Sequence, residues 1–417
     1  MNDPSDPFTE LAAVQSAAGT SAMFDTLVAS LAARGRWHAV FDARVMQARL
    51  ALGLTPVGDL AGVSEATRER LDQASLAACR EAGWPLLEAG QVAAAWMYLR
   101  AAVDPGEVAP RLAALADTLE LPPDADDEDA SRRYQELVGV ALWEGADPAL
   151  GITLVLRTQG TCNAITAYEQ AVSRLPAARQ QAAAKVLVTH LHREVAAAVA
   201  GDLERRGLAL PADRSSLPDL LAAAGGLRDD PAVHVDVSHL QSVLRTARVS
   251  TDPVTIRLAY ELALYGLRLP PEVVYPGEPP FENVSQGSAH FFGAQCGVGV
   301  ADAIGSFRRA AATAAPEAGT LPCDTLVLLL WRLGRSGEAL VAALDRPAAD
   351  GYGPPQVSGL LPSLVDLAAA SGEWRRLRDA CQARGDEITF AAALAAEAQN
   401  GQNQQPGRQV VHGPGAR

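Results

Sequence analysis

Imidazole and carboxylate side chains gather in the middle of this chain. Five of its seven histidines, His190, His192, His234, His239 and His290, fall there. They lie in the stretches THLHREV (189–195), HVDVSHL (234–240) and PPFENVSQGSAH (279–290). Neutral imidazole and carboxylate are the usual ligands of zinc, iron and manganese, so hydrolytic or oxidative metal chemistry is what such a set offers. On a helix, His190 and Glu194 share a face. A divalent-metal site built on them needs completion by His239 or His290, with Glu282 as a further ligand. The segment carrying Glu282 and His290 must then fold over the helix.

His192 is placed differently. Leu187, Val188, Leu191, Val195 and Val199 form an apolar stripe at helical spacing, and His192 sits at its edge. The HxH pair therefore splits between two faces and cannot chelate one ion from a regular helix. Each group also has a structural reading, and that reading leads. His192 is a packed, hydrogen-bonded histidine. His190 with Glu194 is an exposed pair contributing about 0.2–0.5 kcal/mol. His239 faces solvent after a cap, and His290 opens a helix. A second candidate is the segment 275–292, where Tyr275, Phe281, Phe291 and Phe292 crowd together in a chain with only 5% aromatics. Long ordered loops often carry function. Its structural reading is that Tyr275 and Phe281 anchor the loop.

Other catalytic signatures are missing. No GxxxxGK[ST], GxSxG or HExxH occurs, and Asp302 stands where a dinucleotide fingerprint starting at Gly297 needs its third glycine. No catalytic residue and no cofactor-binding residue is assigned. Beyond the candidate metal, no cofactor is expected.

The elements that must position these residues read as helices. Sustained alternation and Asn-Gly or Asp-Gly hairpin turns are absent, while Leu258, Leu262 and Tyr265 recur at helical spacing. Asp252-Pro253 reads as an N-cap and first-turn proline, and Ser238 with Gln241 as a capping box. Gly266 and Pro270-Pro271 stop the helix begun at Pro253.

A repeated order of small and large residues runs through the chain. In 83–105, GWPLLEAGQVAAAWMYLRAAVDP, the series is Gly83, Gly90, Ala95, Leu99, Ala102 and Pro105. Echoes are Gly160, Ala164, Tyr168, Ala171 and Pro176; Gly299, Ala303, Phe307 and Ala310; and Gly334, Ala339 and Ala343. Gly35 before Trp37 and Gly372 before Trp374 repeat the start of the unit. The physical roles are consistent: glycine ends and turns the first helix, alanines sit where two helices cross, a large residue plugs the gap, and proline closes the second helix. This pattern resembles the tetratricopeptide-repeat class, in patches over about half the chain. The resemblance implies an all-α fold of stacked antiparallel helical hairpins, an α-solenoid with an irregular or interrupted array. It does not carry a function with it.

The layout expected is a disordered start at 1–10, hairpins over 11–121, an acidic linker at 122–130, and hairpins over 131–398. A long loop at 269–290 interrupts the second set, and 399–417 forms a disordered tail. A domain seam is expected near the acidic linker. The net charge of −14 disfavours a nucleic-acid partner. The cysteines, five in number with no CxxC, fit reduced thiols in the cytoplasm. MNDPSDPFTE shows no secretory signal, and the longest apolar run, Leu326–Trp331, is too short for a membrane span. The leading expectation is therefore a protein- or peptide-binding scaffold rather than an enzyme. A metal-dependent helical enzyme and a structural subunit of an assembly are the alternatives.

Overall fold

A computed structural model describes residues 6–120, 127–225, 233–346 and 359–403. Among these the only regular elements are helices. None is long and apolar enough to cross a membrane. The chain divides into two compact units, Met1–Arg174 and Leu175–Arg417. The acidic segment thus lies within the first unit, and part of it (122–126) falls outside the described residues.

The first unit contains α1 (Pro7–Ala33), α2 (Trp37–Ala51), α3 (Glu65–Glu88), α4 (Val92–Ala102), α5 (Pro105–Asp117), α6 (Glu128–Val138) and α7 (Pro148–Ala167). Helix α1 begins at Pro7 behind an Asp6 cap, earlier than the expected disordered start allows. Likewise α6 starts inside the expected linker, with Asp127 accepting from the Ala130 N–H. Helices adjacent in sequence pack on each other, α1 on α2, α2 on α3 and α3 on α4.

The second unit holds α8 (Ala177–Arg205), α9 (Leu217–Ala223), α10 (Val237–Ala247), α11 (Pro253–Gly266), α12 (Val284–Gln295), α13 (Val300–Ala312), α14 (Leu321–Arg332) and α15 (Ser336–Leu344). Helices α16 (Leu364–Ser371), α17 (Trp374–Arg384) and α18 (Glu387–Asn403) follow. Here α8 packs on α9, α10 and α11, while α11–α12, α12–α13, α13–α14 and α14–α15 are neighbour pairs. Helix α18 carries regular structure to Asn403, into the expected tail; residues 404–417 lie outside the described residues.

Among the described residues, one turn is shared by several glycines. Gly35, Gly90, Gly334 and Gly372 have φ of 65°, 74°, 71° and 76°. The residue after each, Arg36, Gln91, Arg335 and Glu373, has φ between −90° and −85° and ψ between 44° and 69°, and a helix starts directly after it. In the first three the glycine N–H and the next N–H return to the ending helix, as in Gly90 N to Leu87 O (2.9 Å) and Gln91 N to Leu86 O (3.0 Å). Such a short link folds the second helix back along the first. The residue five past each glycine, Val40, Ala95, Ala339 and Leu377, is fully buried at 0% exposure. Gly90→Ala should therefore cost about 1–2 kcal/mol, because an L-residue resists a positive φ. Urea denaturation measures it.

Several local expectations need correction. Asp236, not Ser238, caps α10, with its carboxylate accepting from the Ser238 N–H. Pro105 opens α5 behind an Asp104 cap instead of closing α4, which ends at Ala102. The loop expected at 269–290 stops at Asn283, since α12 runs from Val284 and includes His290.

Candidate functional site

The long helix α8 separates its histidines as the apolar stripe requires. His192 points into the unit, where its Nε2 lies 2.7 Å from Glu261 Oε2 on α11. His190 stays near the surface with its Nε2 3.2 Å from Glu194 Oε1. Of the other proposed ligands, His239 is half-buried on α10, His290 half-buried on α12, and Glu282 exposed on the loop before α12. Only His190 and Glu194 are found paired within the set. Among the described residues no three His, Cys, Asp or Glu side chains form a group able to hold a metal ion.

The structure instead assembles a buried polar group around His234. Its backbone N–H donates to Tyr265 Oη at 2.9 Å, and ring Nδ1 lies 3.3 Å from the same oxygen. Ring Nε2 lies 3.5 Å from Asp202 Oδ2, a long polar contact rather than an aligned hydrogen bond. Burial alone raises the Asp202 carboxyl, but His234 and Arg206 outweigh it and hold it below the ordinary carboxylate range. Tyr265 is wholly buried, so this group ties α8, α11 and the approach to α10 together.

The His192–Glu261 pair has the same structural character. Removing one partner of a buried pair strands the other, whereas replacing both with apolar groups is often near neutral. His192→Leu should destabilise by about 3 kcal/mol. The double variant His192→Leu/Glu261→Leu should recover most of that loss, as a denaturation double-mutant cycle would show.

The loop before α12 is firmly tied. Gln241 Nε2 donates to Tyr275 O at 2.7 Å, and Gly277 N donates to Glu282 O at 2.9 Å. Phe281 is buried, with the Arg248 guanidinium carbon 3.4 Å from its ring centroid and Phe307 at 5.7 Å centroid to centroid. Burial pushes Arg248 down to about 9. Phe281 therefore anchors the loop as expected, but Tyr275 does not: it is 61% exposed. Beside it a cavity of about 320 Å³ is lined by Leu267, Leu269, Pro271, Val274, Tyr275 and Glu282, among others.

A second concavity lies over α14. Its volume is about 390 Å³. Cys323, Leu326 and Leu330 form one face of α14, and the end of α13 contributes Arg308, Ala311 and Ala312. Helix α15 supplies Glu338, Val341 and Ala342, and Asp345 follows it. The sequence pattern did not point to this cleft, since none of the repeat positions Gly334, Ala339 and Ala343 lines it. An ion pair between Arg308 and Glu338 joins α13 to α15, and Arg335 also pairs with Glu338.

The floor is fixed rather than reactive. Cys323 Sγ donates to Ala342 O at 3.2 Å. Burial, aided by Asp324, pushes its thiol up to about 11. At neutral pH it is a protonated thiol and a poor nucleophile. Asp324 behind it accepts from Thr320 Oγ1 at 2.8 Å and pairs with Arg346 Nε at 2.9 Å. Burial raises this carboxyl more than those partners lower it. The cleft thus offers an apolar floor with charged groups at its edge and no activated nucleophile at Cys323.

No protein-family model matches the chain, and no curated protein and no solved structure does either. The chemistry of the site is all that bears on function.

Proposed function

We propose that the chain is a binding scaffold for a protein or peptide, built as a divergent tetratricopeptide-like array of hairpins. Its cleft over α14 receives an apolar side chain of the partner. The observation that carries this reading is the cleft itself: about 390 Å³, floored by Leu326, Leu330 and Cys323, walled by alanines, and edged by Arg308, Glu338 and Asp345. Small apolar clefts with a few placed polar groups are where such segments dock. The four matching glycine turns support the array, because tandem hairpins expose a concave face between successive helices. A cytoplasmic setting accompanies the proposal, supported by the free thiols of Cys79, Cys162, Cys296, Cys323 and Cys381.

The test is capture by the tagged full chain, compared with Ala312→Trp. Ala312 is exposed at the end of α13, so an indole there overhangs the cleft without entering the core. A partner retained by the native chain and lost by Ala312→Trp, with unchanged circular dichroism, is the expected result. Equal retention by both proteins contradicts the cleft as the docking site.

A further inference from the structure

We infer that the cavity between the α11 terminus and the loop before α12 is a second docking site, which takes a basic peptide segment carrying an apolar side chain. It is separate from the cleft over α14 and does not rest on it. Three observations carry the inference. First, the cavity is preformed. The hydrogen bonds at Tyr275 and Gly277 hold its rim, and a β-carbon at Gly277 would come within 2.3 Å of Phe281 O, so the loop is closely packed against itself.

Second, its apolar lip is unfilled. Leu267 is 46% exposed and Tyr275 61% exposed, while Leu269 beneath them is buried. An aliphatic or prolyl side chain entering about 320 Å³ would cover Leu267 and Tyr275.

Third, the charged side chains of the loop have one sign, and one of them, Glu282, lines the cavity. Glu272, Glu278 and Glu282 are all exposed on the loop. None has an ion-pair partner among the described residues. Arg268 at the neighbouring helix end is turned inward, where it donates to Leu221 O at 2.6 Å. Arg248 lies beneath Phe281 and meets Glu278 only as a longer-range charge. An arginine or lysine beside the inserted side chain would meet free carboxylates, whereas an acidic segment would be repelled. Apolar shape selects the anchor and the carboxylates select its neighbours.

Fluorescence anisotropy of the full chain tests this, using a short labelled peptide with one leucine between two arginines on a Gly-Ser backbone. The expected result is saturable binding that weakens about tenfold or more when the arginines become glutamate, or the leucine becomes glycine. Tyr275→Ala, and Glu278→Lys with Glu282→Lys, should each weaken it comparably. Two controls separate this from general attraction to an acidic protein and from the first site. Glu69→Lys with Asp72→Lys, exposed on α3, should leave binding unchanged, and so should Ala312→Trp. Absence of binding, insensitivity to the loop variants, or an equal loss in the Glu69/Asp72 control overturns the inference. Loss with Ala312→Trp alone would move the binding to the α14 cleft and likewise overturn it.

Discussion

Phe291→Ala should destabilise the protein by about 3–5 kcal/mol, the usual range for deleting a fully buried phenylalanine. Phe291 has 0% exposure and lies at the centre of an aromatic group. Its ring centroid is 5.3 Å from Phe292, 6.3 Å from Phe281 and 6.2 Å from Phe307, in edge-to-face arrangements. The Arg332 guanidinium carbon lies 5.6 Å from it, and Arg332 Nη2 in turn donates to Arg248 O at 2.7 Å. Alanine would leave a cavity touching α12, α13 and the loop anchor at once. Phe291→Leu keeps most of the volume and should cost roughly 1.5 kcal/mol or less by the volume-conserving rule. Chemical denaturation followed by circular dichroism measures both. A loss for alanine no larger than that for leucine would show that the ring is not packed as described.

Gly151→Val should destabilise by about 3 kcal/mol, at the upper end of overpacking costs. Gly151 on α7 faces the π-helical turn Gly139–Trp143. A β-carbon there would lie 2.5 Å from Leu142 Cβ, 2.9 Å from its Cα and 3.0 Å from its N. Backbone atoms cannot swing aside as a side-chain tip can, so one helix must shift. Gly83 on α3 makes a softer version of this approach, with Leu99 Cγ at 2.6 Å as the obstacle. Gly83→Ala should therefore cost less than Gly151→Ala, and denaturation midpoints of the two variants test that order. If both are neutral, the close helix approach at these glycines is wrong.

The helical class and the glycine turns were legible in the sequence because they depend on local chemistry. Positive φ at Gly90 or Gly334 restricts the residue type directly, and the buried Ala95 and Ala339 follow at fixed offset. The start of α12 was not legible. VSQGSA, the stretch before His290, is poor in strong helix formers and reads as loop. It is helical because its small residues admit close neighbours: a β-carbon at Gly287 would meet Phe281 Cδ1 at 2.6 Å, and one at Gly293 would meet Tyr260 Cε2 at 2.9 Å. Tertiary packing overrides propensity there. The partners of the central histidines were hidden for another reason. Glu261 is 69 residues from His192, and Tyr265 is 31 from His234. No local spacing signals such pairings. His239 and His290 are likewise far along the chain from His190, and the fold places His192 and His234 in internal contacts instead of gathering the imidazoles.

The most direct test of the binding scaffold is site-specific photocrosslinking in cells from Val341, which is 37% exposed and lines the α14 cleft. A benzophenone side chain there should give one discrete protein adduct that disappears when Ala312→Trp is added, while the same probe at exposed Glu69 gives none. No adduct from Val341, or the same adducts from Glu69, would contradict the account.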